Sequence, residues 1–347
     1  MLTVSLRALV GALLVCAAGC ASAAKPLPIT DPSELARAAL GSLPGTALVG
    51  VLHADRPGYG SAGEQVKQSG ELLFGIGSIS KVFTGLLLAQ AVDRGELRLD
   101  TTLGSLNLTE TPLPPKVARI TLGQLVTHTS CLPNDPNDIA HETDMAQMLA
   151  NYPRTRLWSA LASEQMDRDG PCPAQYSNFG FAVLGEALAA HYRTSWIQLV
   201  HQRITEPLGM GDTVARMSGS EGRLASSYDR EKPVTPLREW GAFAGTGGLY
   251  SSARDMLTFS RALLAGRHGP LGAAAERVLQ PLHGGGIAYA IEMRGPPNRR
   301  IYFKNGRTVG FSSYWLILPE TRQALIVLVS NSDARLDDLI RNIVAQR

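Results

Sequence analysis

The clearest run of apolar spacing lies between Ser78 and Arg94. Val82, Phe83, Leu86, Leu87 and Ala89, with Gln90, fall on one broad side of a helix, and Gly95 supplies a C-terminal stop. Upstream, residues 32–40 read as a short helix with Asp31 as its N-cap. Residues 46–53 read as a strand, and two more short strands are predicted around 64–67 and 71–75, with glycine-rich turns between them. Thr121 caps a second short helix through Val126, and 132–138, with its two prolines, reads as loop. Further helices are predicted near 144–152, 179–191 and 196–204. The pattern then becomes strand-like at 287–293, 300–304, 312–318 and 324–330, before a final helix at 336–345. This order predicts one α/β (α+β) body from residue 25 to 347, with a mostly helical part over roughly residues 100–240.

The first 24 residues stand outside that body. Arg7, the apolar stretch Ala8 to Ala18 and the small residues Ala21-Ser22-Ala23 form an export signal with a cleavage site. Its apolar run is shorter than the ~20 residues that span a bilayer. Ala17-Ala18-Gly19-Cys20 is also similar to a bacterial lipobox, without the usual leucine at its first position. Two readings stand side by side: cleavage near Ala23 or Ala24, or lipidation of Cys20. No later segment is apolar enough to span a membrane. Cys131 and Cys172 are the two cysteines of the body, and in an oxidising compartment such a pair reads as a disulfide. Two buried free thiols are the alternative. A formal net charge of +3 is too small to point to nucleic acid.

Only six lysines occur, and two of them, Lys81 and Lys304, sit in short motifs that carry chemistry. Ser78-Ile79-Ser80-Lys81 places serine and lysine one helical turn apart on one side, so the amine can act on the serine proton. Burial and a nearby cation would lower the amine's pKa toward that task. Phe74-Gly75-Ile76-Gly77 precedes the motif, and backbone N–H groups at the helix start face developing negative charge. Tyr176-Ser177-Asn178 follows Pro171-Cys172-Pro173 and precedes a helix. Its phenol can shuttle protons if its pKa is depressed, and Asn178 offers an amide to a substrate amide. Lys304-Asn305-Gly306 stands at the end of a predicted strand. Lys304 would add positive potential near Lys81 and Tyr176, and Gly306 would admit close backbone approach. The N–H groups of Ser78 and Arg307 are candidate paired oxyanion donors. Each motif alone also has a bland reading: a chance Ser-x-x-Lys such as Ser22 to Lys25, a packed tyrosine beside a capping asparagine, a solvated edge lysine.

Other chemistries find less support. His141-Glu142 is followed by Met145 where a zinc-protease helix needs histidine, and the other histidines lack metal spacing. No Gly-x-Ser-x-Gly elbow is present, and the glycines at 75 and 77 do not continue into a dinucleotide fingerprint. No cofactor or metal is expected.

Together the three motifs resemble the serine penicillin-recognising enzymes, specifically the class C β-lactamase family and its low-molecular-weight penicillin-binding relatives. That family carries Ser-x-x-Lys, Tyr-x-Asn and Lys-Thr-Gly in this order. Four further stretches are similar to it: Leu125 to Ser130, Pro207 to Met210, Gly247 to Ser251 and Gly310 to Tyr314. The resemblance implies the β-lactamase/DD-peptidase fold, an antiparallel sheet flanked by helices with the site at the edge of a mostly helical subdomain. It implies that Ser78 is acylated, that Lys81 and Tyr176 share general-base and relay duty, and that Asn178 binds a substrate amide. Lys304 would support the tyrosine and meet a substrate carboxylate. The substrates implied are peptidoglycan peptides or β-lactams. An esterase on the same scaffold, or a penicillin-binding sensor without turnover, would carry the same residues. Asn305 departs from the family, where threonine helps bind the carboxylate. Arg307 is the candidate replacement contact. The stretch Thr127 to Pro133 is similar to D-alanyl-D-alanine carboxypeptidase/endopeptidase relatives, and a Cys131–Cys172 bond would there help to position Tyr176.

Overall fold

The structure, a computed structural model, describes residues 25–66, 70, 72–139, 145–216, 221–282 and 286–346. Helix α1 (Pro32–Leu40) begins as its sequence dictates, with the Asp31 carboxylate accepting the N–H of Ser33. Strands β1 (Thr46–His53) and β2 (Arg56–Gly63) follow as a hairpin. The strand expected at 64–67 is thus β2, placed eight residues earlier; Lys67 and Glu71 lie outside the described residues. The reason is the turn. Ala54 and Asp55 both take left-handed backbone, at φ 45° and 69°, and close a two-residue loop without the glycine that would have marked it. Of the strand expected at 71–75, Phe74–Gly75 remains, paired with Tyr250–Ser251.

Helix α2 (Ser80–Asp93) is buried from Ser80 to Ala91 on every face. It is a central helix, not one with a single apolar side, because it passes between the sheet and the other helices. Its polar groups are satisfied internally: Thr84 Oγ1 donates to the Gly245 carbonyl at 2.8 Å and accepts the Trp196 indole N–H at 3.0 Å. Helix α3 (Leu122–Val126) has the expected Thr121 cap, completed as a reciprocal box with Gln124. Helix α4 (Asn178–His191) is buried from Phe179 to Ala189, and α5 (Ala253–Leu264) packs on the sheet.

The sheet is closed by β3 (Glu292–Arg294), β4 (Ile301–Thr308), β5 (Phe311–Leu318) and β6 (Gln323–Val329), and α6 (Leu336–Ala345) ends the chain. The order among the described residues is β2-β1-β6-β5-β4-β3, antiparallel throughout. Residues 287–291, expected as strand, lead into β3 instead. Ala290 is left-handed at φ 68° and its N–H donates to the Val126 carbonyl, so this segment serves the helical side and not the sheet.

Both sheet faces are covered, and the period-two alternation sorts side chains between two cores. Ala47, Val49, Val51, Leu325, Val327 and Val329 meet α1 and α6 on one face. Leu48, Leu52, Ile326, Leu328, Trp315 and Ile317 meet α2 and α5 on the other. Central strand β5 is therefore buried along its whole length. No helix of the described residues is long and apolar enough to cross a membrane.

Candidate active site

Ser78 sits in a tight turn, Gly77–Ile79, that runs directly into α2. Gly77 is left-handed at φ 50°, and a Cβ there would stand 2.7 Å from the Arg307 backbone nitrogen and oxygen. Across the same contact a Cβ on Gly306 would stand 2.1 Å from the Ile76 carbonyl oxygen. These two glycines let β4 press its backbone against the turn that carries the serine. Ser313 Oγ pins the contact by donating to the Ile76 carbonyl at 2.9 Å.

Lys81, one turn along α2, is fully buried and tethered on three sides. Its Nζ lies 2.8 Å from Asn178 Oδ1, 2.8 Å from the Thr246 carbonyl and 3.3 Å from Ser78 Oγ. Burial first, and the positive charge of Lys304 second, hold the amine well below the usual lysine range; Asp135 opposes them. Lys81 donates an N–H in this contact, so the Asn178 atom facing it is the oxygen, which leaves the Nδ2 donors for another acceptor. Asn178 is the first residue of α4. The capping oxygen belongs to Ser177, whose Oγ accepts the Gly180 N–H at 2.8 Å.

Tyr176 Oη stands 2.5 Å from Ser78 Oγ. The Lys81 and Lys304 ammonium nitrogens lie 4.8 and 5.1 Å from the centre of its ring. The sequence asks for a depressed phenol. Instead, burial of the hydroxyl end pushes Tyr176 up to about 12, with the Ser78 bond pulling down and Glu292 and Asp135 adding to the rise. Tyr176 as a whole residue is 40% exposed.

A strap of loop holds this tyrosine. Cys131 and Cys172 form a disulfide. Beside it, the Cys172 N–H donates to the Thr129 carbonyl and the Gln175 N–H to the His128 carbonyl. Ser177 Oγ donates to the Pro133 carbonyl at 2.6 Å, and the Phe179 N–H to the Asn134 carbonyl. His128 is the centre of the strap. Its Nδ1 accepts the Ser177 N–H at 3.1 Å, and its ring lies 4.7 Å from those of Tyr176 and Phe181. Accepting at Nδ1 puts the proton on Nε2, which is buried without a partner among the described residues. Burial first, then the Lys81 and Lys304 charges, lower this histidine to about 2, so it is neutral. Nothing in its spacing marks His128 as part of the site; the one signal was its place in the stretch Leu125 to Ser130.

Strand β4 forms the opposite wall. It continues past the Lys304-Asn305-Gly306 motif to Thr308, so the motif lies inside the strand and not at its end. Lys304, only 3% exposed, pairs with Glu292 at 2.9 Å. Glu292, on neighbouring β3, carried no sequence signal. Asn305 Nδ2 donates to both carboxylate oxygens of Asp337 on α6, at 3.1 and 3.2 Å. A cavity of about 390 Å³ opens here over Ser78, Asn305, Arg307 and Asp337. Cys20 and the His141-Glu142 pair lie outside the described residues.

A serine in the turn that opens a central helix, a lysine in that helix's first turn and a tyrosine on the serine oxygen, set against an antiparallel sheet, are the arrangement of the serine penicillin-recognising class. The chain belongs to the Beta-lactamase family, whose profile matches residues 34–346. It is 27% identical to the D-alanyl-D-alanine-carboxypeptidase/endopeptidase AmpH of Escherichia coli, over 94% of this chain and 92% of that one. A class C β-lactamase from Rhodobacter sphaeroides superposes with a TM-score of 0.73 at 25% identity, covering 90% of this chain and 100% of that one. A β-lactamase/D-alanine carboxypeptidase from Yersinia pestis shares the fold with a TM-score of 0.76 at 23% identity, covering 90% and 95%.

Proposed function

We propose that this protein is an exported serine hydrolase that forms an acyl-enzyme on Ser78, cleaving D-alanyl peptide bonds of peptidoglycan or the amide of β-lactams. The observation that carries this reading is the convergence of Tyr176 Oη and Lys81 Nζ on Ser78 Oγ. Burial and the Lys304 charge favour the uncharged amine, whose two N–H bonds go to Asn178 Oδ1 and the Thr246 carbonyl and whose lone pair is then left for the serine proton. Lys81 is therefore the base. Ser78 Oγ then attacks the carbonyl carbon, and the N–H groups of Ser78 and Arg307 receive the oxyanion. Tyr176, protonated at neutral pH, gives its proton to the departing nitrogen. The phenolate so formed lies against Lys304 and the newly cationic Lys81, which returns the proton. Water then attacks the ester, with the same groups reversing their roles. Asn178 Nδ2 holds the substrate amide, and Lys304 adds positive potential.

In this proposal residues 25–347 act as one unit, with a helical part over roughly 100–240. Export rests on the N-terminal leader and agrees with the disulfide; lipidation at Cys20 is read from the mass of the mature N-terminus.

The test is a gel with fluorescent penicillin, run beside nitrocefin and p-nitrophenyl ester assays, for wild type and Ser78→Ala. A label on Ser78 that the variant loses supports the acyl-enzyme. Turnover of nitrocefin names a lactamase, a persistent label without turnover a slow peptidase or sensor, and ester turnover without label an esterase. Activity retained by Ser78→Ala sinks the assignment.

A further inference from the structure

The threonine-to-asparagine change in the third motif acquires a meaning from α6. Asp337 is acceptor-only, so the Asn305 atom facing it is Nδ2, and that nitrogen bonds both carboxylate oxygens. One Nδ2–H of Asn305 is thereby committed to Asp337, whose charge opposes a substrate carboxylate at this position. The pair thus brings the formal negative charge of Asp337 to the cleft. Arg307, two residues on, shares a strand face with Asn305, about 7 Å along the chain. Arg307, Asn305, Asp337 and Ser78 line the same cavity.

The neighbouring charges do not cancel this arrangement. Glu292 is taken by Lys304, and Asp338 lies 3.5 Å from Arg341. Asp333 lies 3.8 Å from Arg230. Among the described residues, Asp337 and Arg307 have no oppositely charged partner within ion-pair distance, and both are exposed. The cleft beside the nucleophile is thus lined by one anion and one cation, neither of them in an ion pair among the described residues.

We infer that Asp337 is a specificity-determining residue, and that the subsite it forms with Asn305 and Arg307 takes a leaving group carrying an ammonium beside its carboxylate. The inference rests on the acyl-enzyme reading above and names the substrate class of that site. Arg307 meets the carboxylate; Asp337 meets the ammonium. A leaving group with a carboxylate alone gains from Arg307 and is opposed by Asp337. The preferred bond is therefore one made to the side-chain amine of a diamino acid whose α-ammonium and α-carboxylate remain free, ahead of a simple C-terminal D-amino acid.

The experiment compares two synthetic peptides with the same D-alanyl acyl part. One releases D-alanine; the other releases D-2,3-diaminopropionate acylated on its side-chain amine. Wild type is expected to favour the zwitterionic leaving group in kcat/KM by about fivefold to tenfold, the scale of two partly exposed charge contacts of opposite sign. Asp337→Asn should lower the zwitterionic rate, raise the anionic one and bring the ratio to within about twofold of unity. Arg307→Ala should slow both. An unchanged ratio in Asp337→Asn, or an equal loss on both substrates, overturns the subsite. Should that variant fold poorly, salt decides on wild type. The ratio should shrink between about 0.05 and 0.5 M ionic strength, and a salt-independent ratio also overturns it. Penicillin labelling of Ser78 in wild type is scored separately, so failure of the subsite is distinguishable from failure of the acyl-enzyme.

Discussion

His128 offers a measurement in which one buried ring reports on both stability and the tyrosine. Folded His128 stays neutral, lowered to about 2 by burial and by Lys81 and Lys304. Unfolded, it binds a proton below its ordinary value near 6.5. Each proton held only by the unfolded chain favours unfolding. The histidine's contribution is therefore complete above pH ~6.5 and is lost as pH falls from there toward 2. The slope is about 1.4 kcal/mol per pH unit, or about 3 kcal/mol between pH 6.5 and 4.5. His128→Asn removes this titration while keeping an oxygen to accept the Ser177 N–H. Asparagine also tolerates the left-handed backbone at φ 60°. At pH 7 the variant should lose only the ring contacts, about 1 kcal/mol. His128→Phe keeps a ring but leaves the Ser177 N–H buried and unpaired, which costs about 1–3 kcal/mol more. Urea unfolding from pH 4.5 to 7.5 should show the wild type losing its advantage over the asparagine variant as pH falls. Penicillin acylation at pH 7 should be slowed far more by phenylalanine than by asparagine. Parallel stability curves for wild type and His128→Asn, or undiminished acylation in His128→Phe, would refute the reasoning.

Other parts of the site make their own demands. Reduction or Cys172→Ser opens a loop of 41 residues in sequence separation. Chain entropy sets the loss at about 4 kcal/mol. Acylation should slow as well, because the strap holds Tyr176, and equal turnover by Cys172→Ser and wild type would remove that positioning role. Gly306→Ala sets a methyl 2.1 Å from the Ile76 carbonyl oxygen and must move β4 away from the Ser78 turn. Stopped-flow acylation should fall by about 100-fold, the scale of a 1 Å misplacement, and a fall under about threefold would show that the contact is not needed. Lys304→Ala removes a charge that lowers Lys81, so the amine's pKa rises and the acid limb of the kcat/KM profile moves to higher pH. A limb that stays in place, or moves down, would remove Lys304 from the tuning of Lys81.

Local signals were readable wherever the cause was local. Asp31 and Thr121 cap their helices with their own side chains, Gly95 ends α2, and β5 and β6 fall within a residue of their expected places. The turn at Ala54-Asp55 escaped because neither residue advertises a left-handed backbone. The all-round burial of α2 escaped because a helix shows its own spacing in the sequence and not its neighbours.

The order of the three motifs and the residue types they offer were determined by the sequence alone, since type and spacing carry them. Tertiary structure decided which groups finish the site. The Thr246 carbonyl holds Lys81, the His128 ring supports Tyr176, Glu292 takes Lys304, and Asp337 takes Asn305. Apart from Glu292 and Lys304, twelve residues apart on adjacent strands, these partners lie at least 32 positions apart in the chain. Their pairing follows from strand register and helix docking, which no local window contains. The same long-range contacts set the phenol high and the buried amine low, because a pKa depends on what surrounds the group once the chain has folded.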